Sequence, residues 1–340
     1  CGERTKKESS FSFDGTNLVT PFYKAVIDEN GYIPSLIDLS NNRQIANVKG
    51  APLGTLWCGE SFPTCYDNWE VEDDVFRKLF ATPACEKPEV VSDGSLEFRI
   101  RTKYKLGKDS MATVDTVFYS NSRLINYDVK VDWQERHHFL KAGFDVNIRS
   151  AFVKNEIQYG HLDRPTTRNT TLEKAKFEVC NHKWSDISET NYGVAVLNNC
   201  KYGISAEGSD MRLSLLMGGI RPDPYTNFGT HYMKYALLPH VGPFTADSVV
   251  RPAYLYNYKP FEVEGSVKLP ALYSVDKSNI ICEAVKNAED VKGAYVLRLY
   301  ECERSTTECT LHLEGAAKVY VTNMLEEIEE ELVPVNGDVT

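Results

Sequence analysis

The sequence predicts an all-β protein built from antiparallel strands, and three observations carry that prediction. Apolar residues recur at every second position over several long stretches, as half-buried strands require. The turn dipeptides Asp14-Gly15, Asn30-Gly31, Asp93-Gly94 and Asn336-Gly337 punctuate the chain. No helical crossover separates successive strands, so neighbours should pair antiparallel.

Taken in order, Leu96, Phe98, Ile100, Thr102 and Tyr104 predict the first long strand. The run 111–119, with Val114, Thr116 and Phe118, supplies a β-branched second. Ile125, Tyr127, Val129, Val131 and Trp133 alternate as a third, and Leu140, Ala142, Phe144, Val146 and Ile148 as a fourth. The break at 135–138 between these two reads as a polar turn with His137 and His138 exposed. Pro260, Gly265 and Pro270 then punctuate a segment of mixed polarity, which places a first β domain at 1–265 and a second at 266–340. In the second, 280–285, 294–300, 310–313 and 319–321 read as a small β-sandwich. So few strands make a thin core, which points to docking on something larger or to a missing last strand. Leu325, Ile328 and Leu332 share one helical face, yet the glutamates between them suit a charged β edge equally.

Bulk properties narrow the function. The 340 residues carry a net charge of −10, which argues against a phosphate backbone as partner. No apolar run approaches the ~20 residues that cross a bilayer as a helix. Nine cysteines form an odd, dispersed set without a Cys-x2-Cys pair, which suits reduced thiols in a cytoplasmic protein better than a disulfide framework or a structural zinc site. In that compartment the sequon at Asn169 is silent. The start, CGERTKKESSFSFDG, and the end, NGDVT, both read as cuts or as trimmed disorder.

Residues 133–258 hold short polar and aromatic motifs that strand chemistry alone does not explain. They run WQERHHFLKAGF, NEIQYGHLDRPTTRNTT, KFEVCNHKWSDISE, YGVAVLNNCKYG, LSLL, RPDP and GTHYMKYALLPHVGPF. Their wording and order resemble the carboxyl-terminal β region of glycoside hydrolase family 38 α-mannosidases, the cytosolic type above all. TPFYKAVIDENGYIPSLIDLSNNRQI and AYVLRLYE extend that likeness over nearly the whole chain. The resemblance implies a large antiparallel super-sandwich of the galactose-mutarotase kind, followed by a smaller β-sandwich. It also implies a parent enzyme that hydrolyses α-mannosides with retention, using one zinc ion and an aspartate nucleophile held in an amino-terminal α/β barrel. This sequence shows neither the family's His-x-Asp zinc pair nor its nucleophile motif, so by this reading the piece holds no cofactor and is inactive alone. Its partners would be that barrel and a mannosyl oligosaccharide, with a homo-oligomer possible.

Six residues are candidates for substrate contact. Arg164 and Arg168 in HLDRPTTRNTT carry guanidinium forks that fit vicinal sugar hydroxyls, and equally fit a role in holding the loop or the domain in place. The family commonly reads RPTH here, and Thr167 removes the titratable ring. Met217 stands where the cytosolic type usually has arginine after LSLL, which weakens the usual equipment of the cavity. In TCYDNWEVEDD, Tyr66 and Trp69 offer flat faces and Asp67 an acceptor, for a domain interface first and a sugar second. His231 offers a further hydrogen bond, although histidines in β cores usually satisfy backbone groups, as expected of His182 and His240 too. Two other functions compete. A free-standing carbohydrate-binding β-sandwich would need an exposed aromatic platform on one sheet. An aldose mutarotase would need a facing acid and base in a concave sheet.

Overall fold

The computed structural model describes residues 9–266 and 271–340; Cys1 and Pro270 lie outside them. Strands account for 48% of the chain and helices for 7%, and the sheets are antiparallel, the class that the alternation predicted. The chain forms two compact units: Cys1–Glu156 with Leu162–Phe244, and Ile157–His161 with Thr245–Thr340. The division therefore falls at Phe244–Thr245, and Pro260 and Gly265 lie inside the second unit. The reason is local. The Thr245 hydroxyl accepts from the Ser248 backbone in a capping box, which starts a π-helical turn, Ala246–Val250, that runs into the helix Arg251–Asn257.

The first unit holds most of a nine-stranded sheet and all of a six-stranded one, with a five-stranded sheet from residues 12–44. The nine-stranded sheet runs Gly160–Pro165, Phe152–Ile157, Trp184–Ser188, Tyr192–Asn198, Gly229–Val241, Ile125–Trp133, Ser110–Tyr119, Glu97–Leu106, Glu89–Asp93. The six-stranded sheet runs Val179–Cys180, Gly203–Glu207, Asp210–Gly218, His138–Asp145, Thr55–Glu60, Leu79–Ala81. All four long strands expected from period-two alternation are present.

Their inward residues make one core. Val114, Val129 and Met233 come from the larger sheet, and Leu56, Leu140, Ala142, Phe144 and Leu213 from the smaller. Phe144 bridges the two layers, edge-on to Tyr127 at 5.6 Å and to Tyr235 at 6.0 Å between centroids. Burying a side chain of this size stabilises by about 1.5–3 kcal/mol. The Asn30-Gly31 turn is fixed from both sides. Asp28 Oδ1 accepts the N–H groups of Asn30 and Tyr32, each at 2.9 Å, and Gly31 sits at φ 75° where a Cβ would strike Thr102.

The second unit holds a three-stranded sheet, Tyr273–Val275, Leu311–Leu313 and Asp338–Val339, and two hairpins. The hairpins pair Ile280–Asn287 with Tyr295–Glu301 and Val319–Thr322 with Ile328–Leu332. Of the two readings open for 324–332, the charged β edge is the one formed. Asn323 Oδ1 accepts the N–H groups of Leu325 and Glu327, and Glu326 takes φ 66°, which turns the chain into the strand.

Candidate functional site

At one end of the first unit, three segments between strands meet: residues 61–72, the reversal at 134–137, and residues 219–228. Asp67 joins them. It is buried, and its two carboxylate oxygens accept the N–H of Ile220 at 3.0 Å each, while Oδ1 also accepts the N–H of Arg221 at 2.8 Å. His137 Nδ1 lies 3.1 Å from Asp67 Oδ2 but outside hydrogen-bond geometry. Beside it, Asn68 donates its backbone N–H to Arg221 O at 3.1 Å and its amide to Asp223 O at 3.0 Å. Two glycines permit this approach. A Cβ on Gly219 would stand 2.7 Å from the Asn68 nitrogen, and one on Gly218 would stand 2.0 Å from Glu135 O.

The 61–72 loop is closed by its own residues. Glu72 Oε1 accepts the Thr64 backbone N–H at 2.8 Å and the Thr64 hydroxyl at 2.7 Å, which holds the Glu72 carboxyl below its usual range. Tyr66 adopts φ 43°, and its ring stacks on Trp69 with centroids 5.4 Å apart. Both rings face solvent, Trp69 at 72% exposure. Phe62 packs on the His137 ring at 4.3 Å, and the Arg136 guanidinium sits 5.5 Å from the ring centres of Tyr225 and Phe228. Exposed aromatic rings thus stand on a hydrogen-bonded base.

The expectation that His137 is an exposed turn residue is corrected here. It takes φ 51° and is half-buried, because the reversal is drawn against Asp67 and Gly218. His138 opens the next strand.

The six candidates fall into two groups. Tyr66, Asp67 and Trp69 belong to the loop cluster. His231 joins it from the strand Gly229–Val241, its Nε2 lying 2.7 Å from Asn227 O, while Asn227 donates to Met217 O at 2.8 Å. Asp67 is occupied by backbone donors, so it acts as the bracket of the cluster. Arg164 and Arg168 lie elsewhere. Arg164 donates to the Cys180 carbonyl, and burial pushes its guanidinium below the usual value. Arg168 Nε pairs with Glu207 at 3.1 Å, and its guanidinium lies 5.5 Å from the Phe76 ring centre. Phe76 stands in the short helix Asp73–Arg77 that follows the 61–72 loop. His240 is buried, but its Nε2 meets the Asp186 carboxylate at 2.9 Å and not a backbone group, and its Nδ1 has no hydrogen-bond partner, so the expected backbone role is corrected.

One group was missed from sequence. Lys141 is fully buried, bonded to Glu178 and, at 2.8 Å, to Ser214 Oγ. Its ammonium lies 5.4 Å from the Phe76 ring centre and 5.0 Å from that of Phe139. Burial outweighs the Glu178 carboxylate and holds this amine below its ordinary value. The signal was present in FLKAGF, a lysine inside an otherwise apolar run.

Residues 18–225 match the glycosyl hydrolases family 38 C-terminal domain, and residues 279–340 match the family 38 C-terminal beta sandwich domain. The chain belongs to glycosyl hydrolase family 38. Within that family it corresponds to the carboxyl-terminal β region of α-mannosidases. It is 33% identical over 296 residues to alpha-mannosidase 2C1 of Homo sapiens, covering 84% of this chain and 28% of the human protein. With the alpha-mannosidase of Saccharomyces cerevisiae the identity is 35% over 364 residues, covering 93% of this chain and 33% of the yeast protein. The chain thus spans about a third or less of the length of these relatives. A family 38 protein from Enterococcus faecalis shares its fold with TM-score 0.78 at 14% identity, over 100% of this chain and 44% of that one. No helix among the described residues is long and apolar enough to cross a membrane.

Proposed function

We propose that this family 38 chain is the non-catalytic carboxyl-terminal part of a zinc-dependent retaining α-mannosidase. In this reading it packs on a catalytic α/β barrel and completes the cleft for a mannosyl oligosaccharide. The loop cluster carries the proposal: Tyr66, Trp69 and Tyr225 are exposed, yet Asp67, Asn68 and Asn227 fix the backbone beneath them. Rigid, solvent-facing aromatics are the usual anchors of a protein interface and also pack on pyranose rings. Arg164 and Arg168 then act as positioning residues for the neighbouring loop. The cysteines among the described residues are all free, which supports a cytoplasmic setting.

Zinc is assigned to the barrel. Among the described residues no group of three or more His, Cys, Asp or Glu side chains is placed to hold a metal ion. In this reading no catalytic step is given to this chain.

The test is reconstitution. The remainder of the parent enzyme is expressed separately, loaded with zinc and assayed on an aryl α-mannoside with and without this chain. Addition of the chain is expected to raise the rate and to form a stable complex, with Trp69→Ala weakening assembly. Arg164→Ala separates two roles: lost assembly marks an interface arginine, and intact assembly with a lower rate marks sugar recognition. If the chain neither binds the remainder nor changes its rate, the proposal fails.

A further inference from the structure

The outer face of the nine-stranded sheet carries a second polar surface that the loop cluster does not use. The strands Glu97–Leu106, Ser110–Tyr119, Ile125–Trp133 and Gly229–Val241 lie side by side, and their register lines outward residues into rows. One row places Arg101, Asp115, Asp128 and Lys234 across the sheet, and the next places Lys103, Thr113, Lys130 and Tyr232. Together they line a groove of about 620 Å³.

The charged groups of the groove are fixed to one another. Asp115 accepts from Arg101 at 2.7 and 2.9 Å and from Arg99 at 3.1 Å. Asp128 accepts from Arg99 at 2.8 Å, from the Asn126 amide at 2.9 Å, and pairs with Lys234 at 3.0 Å. The remaining cations are also paired, Lys103 with Glu86 and Lys130 with Asp132. Tyr232 stands beside this lattice at 75% exposure, its ring open to solvent. Asn199 closes one end, its Oδ1 bound to the Lys234 backbone N–H at 3.0 Å.

This chemistry excludes two kinds of occupant. A polyanion needs surplus positive charge, but each cation here already has a carboxylate, and the whole chain carries −10. A protein partner needs apolar area at the centre of its interface, but Val129 and Met233 in the groove are already buried, leaving Tyr232 as its large exposed ring. A neutral ligand with many hydroxyls and a flat apolar face fits. Arg, Asp, Lys and Asn groups held in place offer donors and acceptors without a rearrangement cost, and an exposed ring face packs on a sugar ring.

We propose that this face binds a neutral oligosaccharide, with one pyranose ring on Tyr232 and neighbouring hydroxyls bonded to Arg101, Asn199 and the Asp128–Lys234 pair. It is a glycan-holding surface separate from the loop cluster, and it requires no catalytic barrel.

The test is native electrophoresis of this chain through gels containing yeast mannan, dextran or dextran sulfate. Retardation by a neutral polysaccharide is expected, and it persists at high salt. Tyr232→Ala should weaken the apparent affinity at least tenfold, Tyr232→Phe should retain it, and Arg101→Ala should weaken it severalfold. Phe80→Ala, at an exposed ring on the other sheet, should leave it unchanged. Thermal midpoints equal to that of the unaltered chain confirm that the variants fold. The proposal is overturned if no neutral polysaccharide retards the chain. It is equally overturned if Tyr232→Ala and Arg101→Ala bind normally, or if only dextran sulfate binds and salt abolishes the effect.

Discussion

Removing either partner of the Lys141–Glu178 pair should destabilise the first unit far more than removing both. Lys141 has no solvent exposure, and Glu178 is mostly covered. A unit-charge pair at about 4 Å in a medium of effective dielectric about 20 gains about 4 kcal/mol, and the desolvation of two ions is of similar size. The direction of the Lys141 shift says that desolvation wins at the amine. The pair as a whole therefore adds little, but one charge left alone keeps its desolvation penalty without the compensation. Lys141→Met and Glu178→Gln, each alone, should cost about 3–5 kcal/mol, a large share of a typical 5–15 kcal/mol. The double variant should fall within about 1 kcal/mol of the unaltered chain. Its new amide still accepts from the Ser214 hydroxyl, and its new thioether keeps contact with Phe76 and Phe139. Urea melts of the four proteins close the cycle. Its pH dependence has a defined sign. A lysine whose folded value is lowered leaves the unfolded chain holding more protons between that value and 10.5, so its contribution to stability rises with pH across the window. The deficit of Lys141→Met should therefore grow as pH rises through the lowered value toward 10.5. Additive single effects, or a lone Lys141→Met as stable as the parent, would refute the reasoning.

Asp67→Ala strips the acceptor from two backbone N–H groups and should cost about 1–3 kcal/mol for each one left unsatisfied, with new protease nicking within 219–228 as the readout. Gly219→Ala puts a Cβ 2.7 Å from the Asn68 nitrogen and should lower the thermal midpoint while leaving far-UV circular dichroism unchanged, because only the loop packing must shift. His312, which ties Leu311–Leu313 to the last strand through Asp338 at 2.7 Å, has its value raised by that hydrogen bond. Its contribution is complete below 6.5 and is lost as pH rises through the raised value. Amide protection of the last strand should fall over that interval, and His312→Gln should abolish the dependence.

What could be read from sequence follows the range of the interactions. The four long strands were legible because each announces itself within ten residues of alternation. The aromatic character of the 64–74 loop was legible for the same reason, although the stacking of Tyr66 on Trp69 was not. The role of Asp67 was not, because the N–H groups it holds lie 153 and 154 positions further along the chain. Arg164 and Arg168 looked like one motif, yet the strand end at Pro165 sends them to separate partners, Cys180 and Glu207. The helix Arg251–Asn257 was missed because its aromatic-rich sequence has no clean period. Thr245 and Ser248 as a capping pair and Pro252 at the first turn were the available signals.

The two surfaces of the first unit solve the same problem by opposite means. An exposed group recognises a partner well only if its position is settled before contact, because ordering it at the moment of binding subtracts from affinity. In the loop cluster the exposed groups are rings with few rotamers, and the backbone beneath them is fixed by Asp67, Asn68, Glu72 and Asn227. On the sheet face the backbone is already rigid as a ladder, so the long side chains are what need fixing, and Asp115 and Asp128 hold them. Substitutions should therefore act through different quantities. Changes under the loops move the whole cluster and alter assembly and stability together. Changes in the Arg–Asp lattice free single side chains and alter ligand affinity while the fold remains unchanged.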